Sequence, residues 1–223
     1  MPVTLGPIEK PRKQPIQARS TATVEAILDA TVQVLIAEGK DRLTTTRIAH
    51  RAGVSVGTLY QYFPNRRSLL QATLRRKLVT VTEAIEAACL EHRGERLSAI
   101  VEGVALAFFR AKMRDAASSL ALYAVSSDVD GLRIAEELRL RSGAALAEAL
   151  ESAPERLSVP TKEAVFAIQA ALSGMSRTLL ETRMPVRDHA TVQRNLVVML
   201  CSYIQAVRAV DALQAVAVPR ARQ

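Results

Sequence analysis

The sequence predicts an all-α protein, a small N-terminal three-helix domain followed by a larger helical one. Apolar residues recur at helical spacing between Gly and Pro breaks, and no segment sustains the period-two alternation of a half-buried strand. Hydrophobic residues make up 49% of the 223, yet aromatics are only 4% and Trp is absent, a balance that suits Ala- and Leu-rich helices better than a β-sandwich.

Residues 1–20 mix Pro2, Pro7, Pro11 and Pro15 with Lys10, Arg12, Lys13 and Arg19, and read as a flexible basic arm with little apolar surface to bury. A helix follows from about Thr21 to Glu38, with Val24, Ile27, Leu28, Thr31, Val34 and Leu35 at helical spacing and Gly39 at the C-cap position. Two short helices come next, near 45–52 and 56–63, separated by Gly53, Val54 and Ser55. Pro64 stops the second, and Asn65 is a good N-cap for the long helix after it. Further helices are expected near 95–112, 115–126, 130–151, 161–182 and 187–214, broken by Gly94, Asp130-Gly131, Pro154, Pro160 and Pro185. The expected organisation is an arm over 1–20, a helix-turn-helix domain over 21–67 and a larger domain over 68–223.

The net charge of +8 is regional. Residues 1–77 hold 13 Lys/Arg against five Asp/Glu, whereas residues 78–223 hold 17 of each. The basic end therefore suits a polyanion, either nucleic acid or an acidic membrane surface, and the neutral body has another task. Cys89 and Cys201 stand alone in helical stretches and read as buried reduced thiols. His50, His92 and His189 show no metal-ligand spacing, so neither a metal nor a cofactor is expected. The first residues lack an apolar signal core, and the most apolar stretch, 195–218, is interrupted by Gln205, Arg208, Asp211 and Gln214. No export or membrane span is expected, which leaves the cytoplasm as the expected location.

A helix, a three-residue turn containing Gly and a second short helix allow the second helix to enter a major groove while the first braces it. On a 100° step, Leu59, Phe63 and Val56 share the side expected to be buried, and Gly57, Thr58 and Gln61 point away towards DNA. Gln61 can pair bidentately with adenine, Thr58 offers a hydroxyl and a methyl group, and Gly57 allows close backbone approach. Tyr60 and Tyr62 fall on the flanks, either as phosphate-contacting hydroxyls or as ordinary boundary residues. Ser55 caps the second helix, and Thr44 or Thr45 the first. Arg66 and Arg67 stand in the first turn of the next helix, where a cation opposes the dipole, a placement that an anionic partner would explain. Arg75, Arg76 and Lys77 are spread around that helix and read as a solvated surface.

These residues resemble the tetracycline-repressor (TetR) family. The likeness runs from about Ile27 to Leu70 and rests on AILDA, Gly39, TTTRIAHRAGVS, VGTLYQYF and PNRRSLL. Lys40 departs from the aromatic residue usual there, and Arg66-Arg67 replaces the usual Lys-Glu; Arg66 keeps the phosphate-contacting cation that the resemblance implies. The resemblance further implies an Ω-shaped homodimer, with N-terminal heads on double-stranded operator DNA and C-terminal domains that bind a small-molecule effector. Release from a palindromic operator on effector binding is the expected mode of repression, with no membrane partner.

Val165, Ile168, Leu172, Met175 and Leu179 at 3-4-3-4 spacing, beside a small stripe of Ala164, Ala167, Ala171 and Gly174, suit close helix packing. The last helix is apolar around much of its circumference through Leu196, Val197, Val198, Met199, Leu200, Tyr203, Ile204, Val207 and Val210. The homodimer is therefore expected through the helices near 161–182 and 187–214. Phe108, Phe109, Met113, Tyr123, Phe166 and Met175 are candidates to line an apolar effector cavity, with plain core as the competing reading.

Two rival readings remain. A non-specific architectural or membrane-surface protein would use the basic region alone. Gly53-Val54-Ser55-Val56-Gly57 also matches the Gly-x-Ser-x-Gly elbow of a serine hydrolase, but an elbow needs a strand before the serine, whereas a helix is expected here. No catalytic residue is assigned.

Overall fold

A computed structural model of the chain describes residues 18–209, which are all-α: α1 (Ala18–Glu38), α2 (Thr45–Ala52), α3 (Val56–Tyr62), α4 (Arg66–Glu91), α5 (Leu97–Met113), α6 (Ala116–Ser126), a 3-10 turn (Ser127–Val129), α7 (Gly131–Glu151), α8 (Thr161–Glu181) and α9 (Val186–Ala206). The one extended pairing among these residues is an isolated bridge between Leu157 and Arg208. Residues 1–17 of the expected arm lie outside the described residues, and its last three are already helical. Ala18 and Arg19 are strong helix formers, so α1 starts before Thr21.

The helices group into two compact units. One comprises the described residues up to Thr82 together with Ala111–Leu140; the other comprises Glu83–Arg110 and the described residues from Arg141 onwards. In the first unit α1 packs on α2 and α6. Its core joins Ile27, Val34 and Leu35 of α1 to Ile48, Leu59 and Phe63 of the helix-turn-helix, Leu69, Leu70 and Leu74 of α4, Leu122 and Val125 of α6, and Ile134 and Leu138 of α7. Residues 20–38 of α1 are long and apolar enough to cross a membrane by length and composition. Ile27, Leu28, Val34 and Leu35 of α1 are nevertheless buried in this core, and the exposed Glu25 and Asp29 of the same helix both pair with Arg76 of α4.

In the second unit α8 packs on α9, with Val165, Ile168, Leu172 and Leu179 buried on one helix and Leu196, Leu200 and Ile204 on the other. The last helix ends at Ala206, short of the expected 214. Ser158 N–H donates to Val207 O and Ala209 N–H to Arg156 O, both at 2.7 Å, so the chain past Ala206 pairs with the loop after α7. Val210 and the rest of that expected helix lie outside the described residues.

Candidate DNA-binding site

Both short helices are defined by their caps. The Thr44 hydroxyl accepts from Arg47 N–H at 3.3 Å and starts α2, which settles the choice between Thr44 and Thr45. Gly53 ends it in the left-handed region at φ 68°, where a side chain would be strained, and Val54 N–H returns to Ala49 O at 3.0 Å. One residue later the Ser55 hydroxyl accepts from Thr58 N–H at 2.9 Å and starts α3. Its oxygen also lies 2.8 Å from the Thr58 hydroxyl, so Thr58 is half-buried and turned towards the cap. This is the serine of the elbow-like motif, preceded by a helix and engaged as a cap.

Only Leu59 of α3 is buried, with Phe63 beneath as its C-cap. Val56, expected beside them, is 36% exposed, and Val54 from the turn packs against the core instead. Val54, in the three-residue turn, packs on the core ahead of α3, and Val56 at the first helical position stays at the surface. Gly57, Tyr60 and Gln61 are exposed, and Tyr62 is half-buried. The Tyr60 and Thr45 hydroxyls meet at 3.1 Å, tying the middle of α3 to the first turn of α2. Thr44, Thr45, Ser55, Gly57, Thr58, Tyr60, Gln61 and Tyr62 thus belong to one continuous stretch of the first unit.

Asn65 caps α4 by accepting from Ser68 N–H at 2.8 Å. Arg66 is exposed beside it, and its guanidinium donates to Lys40 O at 2.7 Å, linking α4 to the loop before α2. Arg67 needs no external anion to explain it: its guanidinium pairs with Asp130 at 2.5 Å. Arg75, Arg76 and Lys77 are also committed rather than merely solvated. Arg75 pairs with Glu137, Arg76 with Glu25 and Asp29, and Lys77 donates to Asp115 O. Angular spacing on one helix does not reveal acids brought up by α1 and α7. Lys40, which pairs with Asp128 at 3.6 Å, was not among the site residues expected from sequence. The available signal was that both departures from the family pattern, at 40 and 67, introduce a cation.

The six effector candidates do not gather in one unit. Met113 and Tyr123 belong to the first, and Phe108, Phe109, Phe166 and Met175 to the second. Phe108 and Phe109 are buried, whereas Phe166 is 64% exposed on α8. A groove of about 310 Å³ in the first unit is lined by Gln33, Val34, Ala37, Arg47, His50 and Arg51, among others, and by none of the six. Tyr123 instead supports Lys112, whose ammonium stands 4.4 Å from the ring centre. Burial pushes the Lys112 amine down to about 8. Burial also pushes the Cys89 thiol up to about 11, while Cys201 is half-buried and likewise free. No group of three or more His, Cys, Asp or Glu side chains among the described residues is arranged to hold a metal.

Two family models match the chain. The model for bacterial regulatory proteins of the tetR family covers residues 27–73, and the tetracyclin repressor-like C-terminal domain covers 96–204. Among curated relatives, the nucleoid occlusion factor SlmA of Glaesserella parasuis is 32% identical over 81 residues, and the HTH-type transcriptional regulator BetI of Serratia proteamaculans is 36% identical over 83. The matched part is 36% of this chain and 39% of SlmA, and 35% of this chain and 42% of BetI, so these likenesses span well under half of each relative. Solved structures share the fold over most of the chain. A TetR-family regulator from Mesorhizobium loti has TM-score 0.71 at 18% identity, covering 87% of this chain and all of its own. FadR of Bacillus subtilis, solved with stearoyl-CoA, has TM-score 0.63 at 18% identity, covering 80% of this chain and 97% of its own. With a helix-turn-helix at one end and a family model over most of the remainder, the chain belongs to the tetR family of bacterial regulatory proteins.

Proposed function

We propose that this protein is a cytoplasmic transcriptional repressor that binds a palindromic operator as a homodimer and leaves it when a small-molecule effector binds. The observation that carries the reading is the outward face of α3. Gln61 is exposed there without a partner side chain, and Gly57 is exposed where neither φ nor packing demands glycine, since an added Cβ would meet only the Ser55 hydroxyl at 3.7 Å. Gln61 and Gly57 read base edges, with the Thr58 methyl beside them; Tyr60, Tyr62, Thr44, Thr45, Ser55 and Arg66 contact the phosphate backbone.

Residues 21–67 carry DNA contact in this reading, and 68–223 carry dimerisation and effector binding. The dimer forms through α8 and α9, where Phe166, Val198 and Met199 are exposed and Gly174 has open space beside it. A ligand-bound structure in the same fold, the FadR complex, supports an effector site in this architecture. The effector shifts the population towards a conformation that fits the operator less well.

The test is quantitative footprinting or gel shift at fixed salt, on DNA flanking the gene and on variants of the protected site. Gln61→Ala should relax preference at one base pair per half-site by about 1–3 kcal/mol, whereas Arg66→Ala should weaken all duplexes alike and lower the salt slope by about 0.9. Uniform effects of both variants on every sequence would favour the non-specific reading instead.

A further inference from the structure

The 3-10 turn between α6 and α7 is held against the start of α4 by three side chains of the first unit, Lys40, Arg67 and Gln71. Lys40 Nζ lies 3.6 Å from the Asp128 carboxylate. The Arg67 guanidinium donates to Asp128 O at 3.4 Å and to the Asp130 carboxylate at 2.5 Å. One helical turn along, Gln71 Nε2 donates to Val129 O at 3.2 Å, and the Val129 side chain is buried in the core. Arg66 closes the circuit by donating to Lys40 O. The turn itself is tightly specified. Asp130 is left-handed at φ 53°, and a Cβ at Gly131 would come within 2.6 Å of Ser126 O.

We propose that Asp128 and Asp130 are positioning residues for DNA recognition. Acting through Lys40 and Arg67, they fix the loop before α2 relative to the first turn of α4, and they withhold two cations from the DNA backbone. The inference rests on the α3 reading face proposed above. The pairs sit at the right place for this role. Arg66, the proposed phosphate contact, precedes Arg67 in the chain and is bonded to the backbone of Lys40. Phosphate contacts add affinity for every sequence alike, so two released cations raise binding to all duplexes, and selectivity falls because the loop before α2 and the first turn of α4 no longer hold the base-reading face in one place, which offsets the gain on the selected duplex. Asp130 is also well covered, its side chain 13% exposed, which holds the Arg67 pair in place where a solvated pair would exchange freely.

The test uses the full chain, a duplex selected by the wild-type protein from a random pool, and a scrambled duplex of equal length. Asp128→Asn with Asp130→Asn keeps side-chain size and, at 130, a residue that tolerates the left-handed region. The double variant should keep its helicity, bind the scrambled duplex about 3- to 10-fold more tightly, show a salt slope steeper by up to about 1.8, and lose a similar factor of selectivity. Asp128→Lys alone should lower selectivity and steepen the salt slope, and adding Lys40→Glu should restore both; a purely structural role would leave the salt slope unmoved. A wild-type preference left intact by the double Asn variant would overturn this proposal alone, and so would absence of rescue by the charge swap. A wild-type protein with no preference for any selected duplex would overturn the α3 reading as well.

Discussion

The helices proposed to meet DNA and the helices proposed to meet a second subunit are built on opposite terms. In the first unit, α2 and α3 are short, start on hydroxyl caps, and bury only Ile48, Ala49 and Leu59 between them. Almost every other side chain on them is polar or exposed, and most of the core beneath is supplied by α1, α4, α6 and α7. In the second unit, α8 and α9 start after Pro160 and Pro185 without side-chain caps and are 21 residues each. They bury a full apolar face and still leave Phe166, Val198 and Met199 in the open. Hydroxyls, an amide and a bare glycine suit a hydrated polyanion, whereas an aromatic ring and a methionine left exposed suit another apolar surface.

The largest expected effect tests the apolar side of that contrast. Phe166→Glu places a charge on the proposed dimer face while disturbing little of its own unit, because the ring is mostly exposed already. The dimer dissociation constant should rise by about 30-fold to 1,000-fold, in the range of a 2–4 kcal/mol interface hot spot, with helicity unchanged. Sedimentation equilibrium at micromolar protein reads this directly. An unchanged dimer would move the interface off this face of α8.

Most of the fold was legible from periodicity and punctuation, because helix ends are written locally. Gly53, Ser55, Pro64 and Asn65 announce the helix-turn-helix to within a residue, and α5 to α8 start and stop close to their Gly, Asp and Pro markers. What failed to show was non-local. Val56 lies on the right side of α3 by angle, yet Val54 packs against the core instead. The end of α9 depends on the loop 156–158, fifty residues away, and no local breaker marks it. The charges on α4 were misread for the same reason. Arg67, Arg75 and Arg76 find their acids in the turn before α7, on α7 and on α1 respectively, parts of the chain whose adjacency to α4 is a tertiary fact. For the candidate site, Thr45 stands on α2 and Tyr60, Gln61 and Tyr62 stand on α3 as expected, whereas Thr58 turns towards the Ser55 cap, and the acidic turn at 128–130 carries no local motif to expose it.

Lys112 sharpens the contrast from the polar side, since it is a cation kept deep in the first unit with Tyr123 rather than a carboxylate for company. Burial lowers its amine to about 8 from an ordinary value of 10.5. At pH 7 the folded and unfolded chains both carry the proton, and the folded state bears the whole cost of the buried charge. Between about 8 and 10.5 the unfolded chain binds a proton that the folded chain has released, so this group makes stability rise with pH across that window. Lys112→Met should therefore stabilise the protein by about 1–3 kcal/mol at pH 7, less whatever the lost cation–π contact contributed, and the gain should fade towards pH 10. Urea unfolding of both proteins at the two pH values reads the difference. A gain that is the same at both would mean that the charge is not what burial penalises.

The smallest effect in stability is the most pointed one for α3. Gly57 has an ordinary helical φ, no neighbour that a methyl group would strike, and a position in the first turn of a seven-residue helix. On intramolecular grounds alanine is the better residue there, because glycine loses more backbone freedom when the helix forms. Gly57→Ala should raise stability by up to about 1 kcal/mol, a shift of a few degrees in Tm. If the backbone of α3 lies against DNA, the same methyl group occupies space that DNA needs, and operator affinity should fall while stability rises. Opposite signs for the two measurements place the reason for this glycine outside the protein. A parallel gain in both would show that α3 does not approach DNA at its first turn, and would transfer recognition to Gln61 and the flanking tyrosines alone.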